Sequence, residues 1–147
     1  MIEPARDVDD LLLLDTHVLV WSLEKGPRLG TATSQLLNLA AQEERLCISA
    51  ITPWEIALLV SKKRLALELD VQEWIERALH SPGLSLTPLE PAIAVASTRF
   101  PFEMQADPAD RILLATARHL PATLVTADRL LLGLAEAGHL RAIDATL

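Results

Sequence analysis

The chain has 147 residues, of which half are hydrophobic and 22% charged, with a formal net charge of −7. That length is one ordinary domain able to bury about 68–70% of the surface its unfolded form exposes, and the composition excludes disordered and fibrous classes. The negative charge argues against broad adhesion to nucleic acid, which Lys and Arg drive, but not against a nucleic-acid enzyme whose metal-binding carboxylates have their charge cancelled by cations.

Residues 1–10, with Glu3, Asp7, Asp9 and Asp10, read as a solvated, frayed lead-in to a domain spanning 11–147. Four consecutive leucines at 11–14, without polar alternation, predict a strand buried on both faces. Asp15 ends that run. It stands at the strand-to-helix edge where open α/β sheets bind their ligands, but Asp15 or Thr16 would equally well cap the helix that His17 to Leu23 begins. After the break at Lys25-Gly26-Pro27, residues 34–44 place Leu36, Leu37, Leu39, Ala40 and Ala41 close to one helical face, and 46–49 form a second strand.

Thr52-Pro53-Trp54-Glu55 has the form of a helix start: a hydroxyl cap, proline in the first turn and an acid three residues after the cap. This helix is expected to reach Lys62, where Lys62-Lys63-Arg64 suits the negative pole of the dipole. Residues 71–80 are amphipathic, with Val71, Trp74, Ile75, Ala78 and Leu79 on one side, and Ser81-Pro82-Gly83 ends them. A weaker third strand (84–87), an alanine-rich helix (90–99) and a loop (100–106) follow. Asp107-Pro108-Ala109-Asp110 repeats the helix-start design ahead of Ile112, Leu113, Ala115, Thr116 and Leu120. Strand four (123–126), a short helix opened by Asp128 and ending near Gly133, and a fifth strand (140–143) complete the chain. Strands alternate with helices throughout, which predicts an α/β fold with a largely parallel sheet.

The single cysteine, Cys47, excludes an internal disulfide and, lacking partners at metal spacing, a zinc framework; a reducing compartment is expected. The longest apolar runs, 11–14 and 56–60, fall far short of the ~20 residues that cross a bilayer, and the N-terminus lacks a signal peptide's basic start and apolar stretch. The expectation is a soluble cytoplasmic protein.

Right-handed crossovers put strand C-termini and the following helix N-termini on one edge of a parallel sheet. That rule gathers Asp15, Glu55, Asp110 and Asp128. Each has a capping alternative: Glu55 and Asp110 as the acids of capping boxes, Asp128 and Asp107 as N-caps. Together they are harder to explain as caps, because two carboxylates ~4 Å apart repel by about 4 kcal/mol at an effective dielectric of 20. Cations relieve that repulsion, and oxygen-only ligands suit Mg²⁺ or Mn²⁺ rather than zinc.

The segments LLLLDTHVLVW, ITPWEIALL, DPADRILLATA and LVTADRLL, in this order, resemble the PIN-domain ribonucleases, in particular VapC-type toxins of toxin–antitoxin pairs. The resemblance spans residues 11–131, and DPADR followed within twenty residues by VTAD is its most specific part. It implies a five-stranded parallel sheet in the order 3-2-1-4-5, which sets Asp15 beside Asp128. It also implies an acidic metal site on Asp15, Glu55, Asp110 and Asp128, with Asp107 a cap and secondary helper and with hydroxyls of Thr16 and Thr126 nearby. Ala109 departs from the pattern, since an aromatic often stands there. A cognate antitoxin, basic enough to meet the negative charge, and a homodimer or larger toxin–antitoxin assembly are implied as partners.

The function expected is a metal-dependent endoribonuclease in which one or two divalent ions activate water for attack on an RNA phosphodiester. No covalent nucleophile with its base stands out. Arg111 and Arg129, each next to an acid, are candidates for phosphate contact. Lys62 and Lys63 read as helix-end charge, His17 as a partly exposed helix residue with substrate contact as its alternative, and His80, His119 and His139 as helix-end residues. Trp21 and Trp74 read as core, as does Trp54 at the start of a buried helix, with stacking on a base as its alternative. The alternative is a binding module with vestigial catalysis that acts through a protein partner. An Asp-nucleophile phosphatase would want a second Asp where His17 stands, and a phospho-receiver a Lys where Asp128 stands.

Overall fold

The structure, a computed structural model, describes residues 10–147. β1 (Leu11–Leu14) leads to α1 (Thr16–Glu24) and α2 (Thr31–Gln42), and β2 (Leu46–Ser49) to α3 (Ile51–Ser61) and α4 (Val71–Leu79). β3 (Leu84–Thr87) leads to α5 (Pro91–Ala96) and α6 (Pro108–His119), β4 (Ala122–Thr126) to α7 (Arg129–Glu136), and β5 (Arg141–Asp144) closes the sheet. All strands pair in parallel in the order β3-β2-β1-β4-β5. This is the α/β architecture expected from the sequence pattern and the strand order that the resemblance implies.

β1 lies at the centre with helices on both sides. Leu12 and Leu14 pack with Val18, Leu37, Ile48 and Ile56 on one side, whereas Leu13 packs with Leu113, Leu114, Leu124 and Leu131 on the other. The strand has no solvent face, so the leucine run needs no polar alternation. Each fully buried leucine contributes roughly 1.5–3 kcal/mol relative to exposure. Cys47 belongs to the second cluster, and burial pushes its thiol pKa up.

Several local expectations are corrected. α3 starts at Ile51, with the Ser49 hydroxyl accepting the Ile51 N–H at 3.1 Å, so Thr52 lies inside the first turn and does not cap it. Trp54 is 50% exposed rather than core. α3 buries Thr52 and Ile56, and Trp54, two positions from each, points the other way. α7 runs past Gly133, where a Cβ would meet open space, to Glu136, and Gly138, with a φ of 89°, supplies the left-handed turn after its cap. α5 is shorter than expected because the Ser97 and Thr98 hydroxyls take the Ala94 and Val95 carbonyls. Trp74 is core, its indole N–H donating to Glu24 Oε2 at 3.0 Å. Of the expected lead-in, 1–9 lie outside the described residues; Asp10 is half-buried, ion-paired with Arg141 at 2.5 Å. No helix among the described residues is long and apolar enough to cross a membrane.

The loop between α1 and α2 is fastened to the end of β5. The Gly30 N–H donates to the Ala145 carbonyl and the Thr33 N–H to the Leu147 carbonyl, both at 2.9 Å. A Cβ at Gly30 would stand 2.0 Å from the Leu147 oxygen. Gly30→Ala should therefore destabilise the protein by about 1–3 kcal/mol, the usual cost of overpacking, read as a lower melting temperature or denaturation midpoint.

Candidate active site

The site begins where β1 and β4 end together. Leu14 is level with Val125, and the Asp15 N–H donates to the Val125 carbonyl at 3.0 Å. The next residue of β4, Thr126, donates its hydroxyl to Asp15 Oδ2 at 2.6 Å and accepts the Asp128 N–H at 3.0 Å. One hydroxyl thus ties the two aspartates at the strand ends. Asp15 Oδ1 accepts the Thr16 N–H at 2.7 Å, and the Thr16 hydroxyl donates to Glu55 Oε1 at 2.5 Å, joining α1 to α3.

α6 brings the remaining acids. Asp107 caps this helix, accepting the Asp110 N–H at 2.9 Å. One carboxylate oxygen from each of Glu55, Asp107 and Asp110 lies within 4.8 Å of the others, a grouping able to hold a metal ion. Asp15, Glu55, Asp107, Asp110 and Asp128 all line one cleft of about 330 Å³. The choice between cap and ligand dissolves in this geometry. Asp15, Asp107 and Asp128 do cap α1, α6 and α7, each through Oδ1, and still face the cleft. Asp107, ranked behind the others from sequence, belongs to this grouping within 4.8 Å of both Glu55 and Asp110.

Burial is the main force on these carboxyls. It raises the pKa of Asp15 above the ordinary carboxylate range, against the lowering pull of the Thr126 hydroxyl and Thr16 N–H. It raises Glu55 likewise, against the Thr16 hydroxyl, with Asp15 and Asp107 adding repulsion. Asp110 is pushed up to about 7, first by burial and then by Asp107, Asp15, Asp128 and Glu55. Every other acid of the cleft therefore acts on Asp110.

The basic residues next to the acids in sequence point elsewhere. The Arg111 guanidinium donates to the Ser97 and Met104 carbonyls at 2.8 and 2.9 Å and lies over the Phe100 ring, fastening the 97–104 segment to α6. Arg129 is exposed, 4.0 Å from Asp144, and lines a different cavity beside β5. His17, Trp21 and Arg28 complete the acid cleft instead. Their signal in the sequence is partial: His17 and Trp21 share a helix face as an i, i+4 pair, but nothing local brings Arg28 to them. His139 is more than a helix-end residue, since its ring stacks on Phe102 at 4.0 Å.

A sequence model of the PIN domain matches residues 12–137. The chain belongs to the PIN-domain family. It is 37% identical over 119 residues to ribonuclease VapC22 of Mycobacterium tuberculosis (strain ATCC 25618 / H37Rv), a match covering 80% of this chain and 87% of that protein. Among solved structures, the PIN-domain chain shares its fold with one from the VapBC2 complex of Rickettsia felis bound to a promoter DNA fragment: TM-score 0.68, 19% identity, 91% of this chain and 98% of that one. A chain of DNA-bound VapBC from Salmonella typhimurium gives TM-score 0.65 at 18% identity, covering 92% and 98%. One from FitAcB of Neisseria gonorrhoeae gives 0.62 at 20%, again over 92% and 98%.

The raised Asp110 pKa makes a prediction for the PIN domain kept in chelator. A carboxyl whose folded pKa exceeds its unfolded value contributes stability that is complete below the unfolded value, near 3.8, and is lost as pH rises through about 7. Asp110→Asn removes that loss. Its melting temperature in EDTA should exceed wild type by roughly 2–4 °C at pH 8, the size of ~1 kcal/mol in a domain of this length, with the difference disappearing near pH 4. A gap that stays constant across that range would contradict it.

Proposed function

We propose that the chain is a metal-dependent endoribonuclease, the toxin of a toxin–antitoxin pair, with Asp15, Glu55, Asp110 and Asp128 as its metal ligands and Asp107 assisting them. The observation that carries this reading is the gathering of five carboxylates in one small cleft, with Asp110 pushed up to about 7. Such a cluster is unfavourable by itself and is relieved by a cation. Its donors are all carboxylate oxygens, the ligand set of a hard ion, so we assign Mg²⁺ or Mn²⁺. When bound, the ion supplies an activated water and neutralises charge at the scissile phosphate.

The chain's own residues do the positioning. Thr126 holds Asp15 and keeps the Asp128 backbone at the end of β4; Thr16 sets the Glu55 carboxylate toward Asp15. These hydroxyls donate to the ionised form of each acid and so favour the state that binds a cation. The N-termini of α1, α6 and α7 add positive dipole ends on the same edge, which favours both the carboxylates and a phosphate.

RNA as substrate is supported by the name of the M. tuberculosis relative, and an antitoxin partner by the VapBC and FitAcB assemblies that share the fold. The net charge of −7 suits a basic antitoxin segment, and a homodimer within a larger assembly is part of the proposal. We place the protein in the cytoplasm, where its RNA substrate lies. A vestigial binding module would keep the partner and lack the cleavage.

Purified Asp15→Asn and Asp110→Asn should each lose Mg²⁺- or Mn²⁺-dependent RNA cleavage by at least about 100-fold while folding cooperatively; full activity of either overturns the ligand assignment. Thr126→Val should weaken Mn²⁺ binding by about 10–100-fold in calorimetry without loss of fold, the usual effect of removing a group that orients a ligand.

A further inference from the structure

We propose that Arg28, whose guanidinium lies over Trp21, binds the RNA backbone phosphate adjacent to the one being cut, and that the strand leaves the acid cleft across the Trp21 ring. This rests on the endoribonuclease reading above. The five carboxylates of the cleft outweigh the charge of one divalent ion, so an approaching polyanion gains from a fixed cation at the edge. The basic side chains on its wall are His17 and Arg28. Arg111 and Arg129, the other candidates, are directed to backbone carbonyls and toward Asp144.

The Arg28 guanidinium lies 5.8 Å from the Trp21 ring centroid, and among the described residues it forms no ion pair with the acids opposite. The ring lies to one side of the guanidinium, and the hydrogen-bonding groups of the fork carry no ion pair among the described residues, which suits a phosphate. Being out of ion-pair range of the acids, it is placed for a phosphate next to the one they act on.

The platform is held by packing and by backbone hydrogen bonds. Trp21 is half-buried against the cluster that contains Leu14 and Val18. The loop carrying Arg28 is pinned at both ends: the Lys25 and Gly26 N–H groups donate to the Trp21 carbonyl, and the Gly30 N–H to Ala145. Such pre-organisation lowers the entropy cost of holding a ligand. Beyond Trp21 a second hollow of about 420 Å³ shares its ring and presents Ser22, Lys25, Ser34 and Asn38. An aromatic face with polar and basic groups behind it is what an exiting single-stranded nucleotide needs. The ring suits a stacked base and the guanidinium a phosphate, so the observations favour RNA over a basic protein segment at this position.

The test compares wild type with Arg28→Ala, Arg28→Lys and Arg99→Ala, an exposed arginine that lines a different cavity. Binding of a fluorescent mixed-sequence single-stranded RNA is read with Ca²⁺, and cleavage with Mg²⁺, from about 50 to 200 mM salt. Arg28→Ala should weaken binding and raise KM about tenfold with kcat changed less than twofold. Its salt slope should be shallower by about 0.7, the value for one lost single-strand phosphate contact. Arg28→Lys should keep the slope and recover part of the affinity, and Arg99→Ala should match wild type. Wild-type affinity and slope in Arg28→Ala overturn the proposal, as does weakened binding of an oligoarginine peptide with RNA binding unchanged. A wild-type chain that binds RNA through Arg28 but does not cut it overturns the endoribonuclease reading alone.

Discussion

The parallel register of β1 on β4 is the constraint on which the rest of this molecule depends. Pairing Leu14 with Val125 brings the ends of two central strands together, and the next residues, Asp15 and Thr126, meet in a 2.6 Å hydrogen bond. A slip of one residue would exchange the two faces of β1, moving Leu13 into the cluster of Leu12 and Leu14 and turning Asp15 away from the cleft. The four leucines bury the centre of the sheet on both faces, and, since they are alike, the register is marked by the polar contacts at their end, Asp15 with the Thr126 hydroxyl and with the Val125 carbonyl.

Around that point the fold collects acids whose burial and proximity are locally unfavourable. Burial and mutual repulsion raise Asp15, Glu55 and Asp110. The two hydrophobic clusters, one on each face of the sheet, offset this local cost. The capping bonds of Asp15, Asp107 and Asp128 reduce it further, since each acid gives one oxygen to a helix N-terminus. Structure and site thus draw on the same carboxylates, which is why a capping motif and a ligand motif look alike in this chain.

Residue by residue, legibility follows the range of the interaction. The helix starts at Asp107 and Asp128 were readable because a cap, its proline or hydroxyl and the following turn lie within a few positions of one another. The α3 start was misread for the same reason in reverse. Thr52 has the local form of a cap, but Ser49 takes the α3 N-terminal N–H and Thr52 instead meets Thr16 across 36 positions. Trp54 read as core from residue type alone, whereas the buried sides of Thr52 and Ile56 turn it outward. Arg111 and Arg129 were placed near substrate by their neighbours in sequence; adjacent helix positions face about 100° apart, and their guanidinium groups found other partners.

By itself, the sequence determined the alternation of strands and helices, the buried central strand and the four acids at the strand and helix ends, because hydrophobic periodicity and capping chemistry act over a few residues. Only the tertiary structure decided that Thr126 bridges Asp15 and Asp128, that Asp107 stands with Glu55 and Asp110, and that Arg28 rather than Arg111 or Arg129 reaches the cleft. Those relations join parts of the chain up to 111 positions apart, and strand register, helix rotation and the pinning of one loop to the end of β5 set them.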